Sequence, residues 1–299
     1  MSNPWNPARY LAFNSARLRP ALDLLAFASS FVPSAASAAS AASAASAASA
    51  ASIPLVVDLG CGAGNLFPYL ADAFPSSSIL GVDSSPEMLA AADASAADLD
   101  HSAGITTVLG TIEDFVPPTP AALVFSNAAL HWLSPESHAS ALARLASPDV
   151  LAPSGVLAIQ MPDTRVQPSH MLMTKVLARE LEAHPELDLD LDSPALAVPT
   201  VAHDHTAYYA ILDNAGLSPH LWSTEYVQVL DGDDPVYRFT RETGLKPILS
   251  ALAAADPSGT AQARYEDAYR TALRAAYPPL PDGQTLFPFR RMFMVGVRK

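Results

Sequence analysis

Three glycines within five residues, Gly60, Gly62 and Gly64, follow a short apolar run, Leu55-Val56-Val57, that closes on Asp58 and Leu59. Regular structure does not run through such a stretch. Glycine accepts backbone conformations closed to side chains, so the chain turns sharply there before a helix opens. A buried strand, a tight glycine turn and a helix are the unit from which open parallel sheets are built. The rhythm recurs: Ile79-Leu80-Gly81-Val82 ends in Asp83, and Thr106-Thr107-Val108-Leu109, Ala122-Leu123-Val124-Phe125 and Val156-Leu157-Ala158-Ile159 follow. These runs do not alternate with polar residues, which is the pattern of strands covered on both faces. Pro86 stands at a first helical position behind Ser84 and Ser85, either of which can cap.

Beyond Gln160 the pattern changes. His170 to Ala183 reads as a long helix and Asp188 to Pro199 as an acidic, proline-punctuated loop. A helix from His203 to Ala215 stops at Gly216, and Leu217 to Leu230 alternates as a sixth strand. Asp234 to Tyr277 is helical with breaks near Gly244, Pro247 and Pro257, and Leu286 to Val297 is a final strand. The expected fold is α/β: a doubly wound, mostly parallel seven-stranded sheet, Rossmann-like, with a helical cap inserted before the last strand. The expected division is an N-terminal helical lid over 1–33, a low-complexity insert over 34–52, a core over 53–230, the cap over 231–285 and the last core strand over 286–299. The insert repeats Ser-Ala-Ala every three residues, which offers neither an apolar stripe nor chemistry.

Composition narrows the function. Half of the 299 residues are hydrophobic, and 30 acidic against 17 basic side chains give a net charge of −13. Such a surface repels nucleic-acid backbones and anionic lipid, so neither partner is expected. A single cysteine, Cys61, excludes internal disulfides and cysteine-rich zinc sites and fits a reducing compartment. No metal constellation stands out. With no signal-peptide pattern at the start and no spanning apolar run, a soluble, cytoplasmic, monomeric protein is expected.

Two details of the glycine turn bear on its ligand. The spacing is G-x-G-x-G, and Asp58 stands just before it, where a pyrophosphate would be repelled and a cation attracted. Asp83 ends the second strand, where a carboxylate can accept both ribose hydroxyls. Together these residues resemble the class I S-adenosylmethionine-dependent methyltransferases. The resemblance implies a cofactor, S-adenosyl-L-methionine, with its methionine part at Asp58, Gly60, Gly62 and Gly64 and its ribose at Asp83. Ser84 and Met88 would flank ribose and adenine, Thr111 and Ile112 would meet the adenine, and Asn127 would lie near the cofactor. Thr111 departs from the family's usual acid; Glu113 and Asp114 are the neighbours that can compensate.

The flanks carry a closer resemblance. Trp5-Asn6-Pro7-Ala8-Arg9-Tyr10, Ser126-Asn127-Ala128-Ala129-Leu130-His131-Trp132-Leu133, Leu157-Ala158-Ile159-Gln160-Met161-Pro162-Asp163, Thr240-Arg241-Glu242-Thr243-Gly244-Leu245-Lys246-Pro247 and Phe287-Pro288-Phe289-Arg290-Arg291-Met292-Phe293 occur in this order. The set is similar to the trans-aconitate methyltransferases. It implies transfer of a methyl group to a carboxylate oxygen of a small polycarboxylate. A carboxylate is already ionised at neutral pH, so no general base is required. Catalysis would come from alignment and desolvation.

A trianionic acceptor needs local cations. Arg9, Arg17, Arg19, Arg165, Arg238, Arg241, Lys246, Arg290 and Arg291 are candidates. Arg9 and Arg290 lie inside the family-like motifs, and Arg291 is the alternative to Arg290 because strand neighbours face opposite ways. Tyr10, His131 and Gln160 are further substrate-binding candidates; His131 reads equally as a packed side chain, and Trp132 as pocket wall. Two rival readings remain: a methyltransferase for another small carboxylic acid, and a non-catalytic S-adenosylmethionine-binding protein. Which carboxylate is methylated does not follow from the sequence.

Overall fold

The computed structural model describes residues 14–32, 53–99 and 104–299. In chain order the main elements are α1 (Asn14–Ser29), β1 (Leu55–Leu59), α2 (Phe67–Ala73), β2 (Ser78–Asp83), α3 (Pro86–Ala97), β3 (Ile105–Leu109), β4 (Ala121–Asn127), α4 (Pro135–Leu145), β5 (Leu151–Pro162), α5 (Pro168–Ala183), α6 (His205–Asn214), β6 (Leu217–Leu230), α7 (Pro235–Arg241), α8 (Lys246–Ala255), α9 (Thr260–Ala276) and β7 (Thr285–Arg298). The seven strands form one sheet in the order β3-β2-β1-β4-β5-β7-β6. The pairs β1/β2, β1/β4, β2/β3 and β4/β5 are parallel. Strand order reverses beside β1, between its neighbours β2 and β4, which is where open α/β sheets bind ligands at the carboxyl ends of their strands.

All seven expected strands are present, five of them read from apolar runs and the sixth from alternation. β1 is buried at every position, as a strand covered on both faces must be. β3 is an edge strand with Val108 and Leu109 exposed, so continuous apolarity overstated its burial. Ser85 caps α3 by accepting from the Met88 N–H at 3.2 Å, with Pro86 in the first turn. Gly216 ends α6 in a left-handed conformation, φ +83°. The cap helices break where expected, at 242–245 beside Gly244 and Pro247 and at 256–259 beside Pro257; Pro247 itself sits in the first turn of α8, where a missing N–H leaves no bond unmade.

The chain divides into two compact units. Among the described residues, one comprises 17–161, 202–223 and 292–299, the other 14–16, 162–201 and 224–291. This differs from the boundaries expected from sequence, because 162–201 clusters with the helical segment rather than with the sheet core. Within the helical unit the reason is visible. Met173, Val176 and Leu177 of α5 pack in one apolar cluster with Tyr265, Tyr269 and Leu273 of α9. The Tyr265 and Tyr269 hydroxyls donate to the Met173 and Ser169 carbonyls at 3.1 and 3.0 Å. Burying rings of this size while satisfying their hydroxyls ties α5 to α9. The Ser-Ala-Ala insert over 34–52 lies outside the described residues, as do residues 1–13 of the segment expected as a lid over 1–33; its described part is α1.

Candidate active site

The glycine turn is built by close packing on one side and open space on the other. Gly60, Gly62 and Gly64 all have left-handed φ values, 81°, 55° and 75°. A Cβ on Gly60 would fall 2.3 Å from the Ala129 Cβ, and one on Gly64 within 2.8 Å of two atoms of the Phe67 ring. A Cβ on Gly62 would meet nothing within 4 Å. Gly60 and Gly64 therefore serve packing as well as turn geometry, while Gly62 leaves a cradle open. The turn is fixed to β2: the Gly60 and Cys61 N–H groups donate to the Val82 carbonyl at 2.8 and 2.9 Å. Ser126 on β4 donates to the Leu59 carbonyl at 2.7 Å. Burial pushes the Cys61 thiol pKa far up, which makes it an inert packing group.

Asp58 is 1% exposed, and neither carboxylate oxygen has a hydrogen-bond partner among the described residues. Burial first, and the neighbouring Asp83 charge second, push its pKa up to about 7. A buried carboxylate without a donor is a costly arrangement that a bound cation relieves. Asp83 is differently placed. Its two oxygens accept from Gly62 N–H and Ser85 N–H, each at 2.9 Å. Both bonds aim the carboxylate at the turn, and each oxygen keeps a further lone pair for a ribose hydroxyl.

The remaining cofactor candidates follow Asp83 along the chain. Ser84 is exposed beside Asp83, and Met88 is buried on α3. The Thr111 hydroxyl donates to Asp114 Oδ2 at 3.1 Å and accepts from the Asp114 N–H at 3.3 Å. A carboxylate thus stands beside the position where the sequence lacks one. The loop carrying half-buried Ile112 is clamped from α4, because Arg144 donates to both the Ile112 and the Phe115 carbonyls. Sequence reading missed Arg144; its partners lie 32 and 29 positions away, and no local pattern announces such a bond.

At the ends of β4 and β5, Asn127 and Gln160 are register partners. Asn127 Oδ1 and Gln160 Nε2 are buried without a hydrogen-bond partner among the described residues. His131 follows in a short 3-10 turn, 9% exposed, its ring 5.3 Å from that of Trp132.

Most of the candidate cations are already committed to local partners. Arg19 pairs with Asp23 at 2.8 Å, Arg241 lies 3.7 Å from both Glu242 and Glu266, and Arg238 donates to the Asp231 carbonyl at 2.5 Å. Arg165 binds both oxygens of Asp163, at 2.8 and 2.9 Å. Arg290 shares that carboxylate at 3.5 Å, so the trio carries one acid for two guanidinium groups. Burial would raise the Asp163 pKa, but Arg165 and Arg290 together hold it below the usual carboxylate range. Arg291 is 5% exposed and stacks over the Phe289 ring at 4.4 Å. Of the two neighbours, Arg291 points inward and Arg290 stays accessible, 43% exposed. Arg9, Tyr10 and the Arg17 side chain lie outside the described residues.

The site fits S-adenosylmethionine on the structure's own terms: an orphaned buried carboxylate for a cation, an open glycine cradle, and a fixed acid for a diol. A parallel-sheet scaffold with this turn defines the class I methyltransferases. A family model described as "Methyltransferase domain" matches residues 56–155. Among curated proteins, trans-aconitate 2-methyltransferase of Methylobacterium nodulans is 39% identical over 294 residues, covering 98% of both chains. The proteins of the same name from Streptomyces avermitilis and Acidovorax ebreus are 37% and 35% identical, each covering 98% of this chain and 96% and 98% of their own. The chain belongs to the trans-aconitate 2-methyltransferase family.

Proposed function

We propose that this chain is an S-adenosylmethionine-dependent O-methyltransferase that forms the monomethyl ester of trans-aconitate, at the carboxylate its relatives' name designates as position 2. The observation that carries this reading is the buried, unpartnered Asp58 carboxylate at the glycine turn of a chain alike over nearly its whole length to enzymes of that name. When bound, the cofactor supplies an electrophilic methyl group on a cationic sulfur. Asp58 would face its positive charge, Gly62 would leave room for its backbone, and Asp83 would hold its ribose. Thr111, with Asp114, Ile112, Ser84 and Met88 would border the base and sugar. The Arg290, Asp163 and Arg165 trio carries net positive charge, which suits a polycarboxylate, and Arg9, Tyr10, His131 and Gln160 stand as substrate-binding candidates on the family-like motifs.

The chemistry asks little else of the side chains. An ionised carboxylate oxygen gains a methyl group and gives up no proton, so no residue need act as base. Opposite charges neutralise one another in the step, and a site that excludes water favours that change. Among the described residues no cluster of His, Cys, Asp or Glu is arranged to hold a metal ion, and no helix is long and apolar enough to cross a membrane. We place the protein in the cytoplasm as a monomer acting on small molecules, with no nucleic-acid partner, in keeping with its acidic balance. The test is turnover by purified protein on a panel of acids: trans-aconitate, cis-aconitate, citrate, a fatty acid and a monocarboxylate. The reading expects the highest kcat/KM on trans-aconitate; a preference for the apolar acids would reject it.

A further inference from the structure

The cofactor does not account for every orphan group at the strand ends. Gln160 is 1% exposed, and its amide nitrogen has no acceptor among the described residues. Buried N–H groups are nearly always bonded, and an exception calls for a missing partner. The backbone that carries the side chain is held in place. The Gln160 main-chain carbonyl accepts from the Ala128 N–H at 2.9 Å, and Ala128 holds a left-handed φ of +52° where β4 turns out of the sheet. A residue with a Cβ adopts that conformation at a cost, which concentrates at working sites.

Strand order says which ligand the nitrogen meets. Along β2-β1-β4-β5, Asp83 ends β2, Asp58 lies in β1, Asn127 ends β4 and Gln160 lies near the end of β5. Neighbouring strands are about 4.8 Å apart, so Gln160 stands roughly 10 Å beyond β1 on the side away from Asp83. A cofactor with its ribose at Asp83 and its cation at Asp58 is directed along the row toward Gln160. What lies past its methyl group is the acceptor. An ionised carboxylate is purely a hydrogen-bond acceptor, which suits an amide donor.

A neutral donor also suits the reacting group better than a guanidinium does. The acceptor's negative charge is consumed in the reaction. A cation held against that oxygen would stabilise the starting state more than the transition state and slow the step. An amide N–H orients the oxygen while leaving most of its charge available. Cations belong at the acceptor's other carboxylates, which keep their charge throughout.

We propose that Gln160 donates through Nε2 to the carboxylate that becomes methylated, fixing its orientation and selecting an ionised acid over its ester. The assignment rests on the carboxyl-methylation reading above. The test compares Gln160→Glu and Gln160→Met with wild type, using S-adenosylmethionine and trans-aconitate. The glutamate variant should lose about 100-fold or more in kcat/KM near neutral pH, where like charges meet. Relative to wild type at the same pH it should recover at least about tenfold as the medium approaches pH 5 and the new carboxyl takes a proton. The methionine variant should lose about tenfold or more at every pH, with no such recovery. For both, S-adenosylmethionine Kd by calorimetry should stay within about twofold of wild type. An unchanged kcat/KM, a glutamate variant that does not recover on acidification, or a parallel loss of cofactor affinity would each overturn the assignment while leaving wild-type carboxyl methylation intact. Absence of any ester from wild type would instead overturn the underlying reading, and the assignment with it.

Discussion

Replacing Asp58 by asparagine removes one ionisable proton and leaves the shape nearly unchanged, so its consequences can be worked through. In the free protein the carboxyl has a pKa of about 7, against 3.8 in an unstructured chain, because it is fully buried and lies near Asp83. The folded state therefore keeps the proton after the unfolded state has lost it. Stability from this group is complete below about pH 4, falls as pH rises, and levels off above about pH 7. Three pKa units at about 1.4 kcal/mol each give roughly 4 kcal/mol of destabilisation in the ionised form. The Asp58→Asn protein, without ligand, should thus unfold at higher denaturant than wild type at about pH 8, the two converging near pH 4.

Binding of a cation reverses the balance. The cofactor's positive charge favours ionised Asp58, so association should expel the proton. About 0.9 proton per site leaves at about pH 6, near 0.5 at pH 7 and about 0.1 at pH 8. Affinity should rise about tenfold per pH unit up to roughly pH 7. Calorimetry in buffers of different ionisation enthalpy measures the release directly. Subtracting the Asp58→Asn result removes the contribution of the ligand's own amino group, which titrates near pH 8. The variant should bind at least about 30-fold more weakly at pH 8, since one member of a buried charge pair has been removed. Equal proton release by wild type and variant at about pH 6 would refute the reasoning, because Asp58 would then already be ionised without a ligand.

Gly60→Ala and Gly62→Ala separate packing from binding. The first places a methyl group 2.3 Å from the Ala129 Cβ and should lower stability by about 2–4 kcal/mol in chemical denaturation. The second meets open space, should cost only about 1 kcal/mol of backbone strain, and should weaken cofactor binding out of proportion. Arg144→Met strands the Ile112 and Phe115 carbonyls and should cost about 2–4 kcal/mol by thermal or denaturant unfolding, with weaker cofactor binding as the loop loosens. Arg290→Met should raise KM for trans-aconitate by about tenfold or more while leaving cofactor Kd unchanged, because Asp163 keeps its bidentate partner Arg165.

The sheet and the cofactor turn were legible because their signals are local. Apolar runs closing on Asp58 and Asp83, and glycines at positions that prove to have left-handed φ, encode strand, turn and carboxylate within a few residues of one another. Side-chain pairing was not legible in the same way. Arg165 read as one candidate cation for substrate, but Asp163, two residues earlier, holds it through its Nε and one terminal nitrogen. Arg290 joins the same acid from 127 positions away. The membership of 162–201 followed neither periodicity nor composition. It is decided by tyrosine hydroxyls of α9 reaching the α5 backbone at separations of 92 and 100 residues. Propensity and spacing describe what a segment can become, whereas these bonds depend on which segments meet.

The most direct test supplies purified protein with methyl-labelled S-adenosylmethionine and unlabelled trans-aconitate, and follows the label by NMR. The account predicts that it appears in one ester methyl group on the carboxylate at position 2, and that an Asp83→Ala protein transfers it far more slowly at the same cofactor concentration. Label that stays on the donor with every acid offered, or a rate indifferent to Asp83, would contradict it.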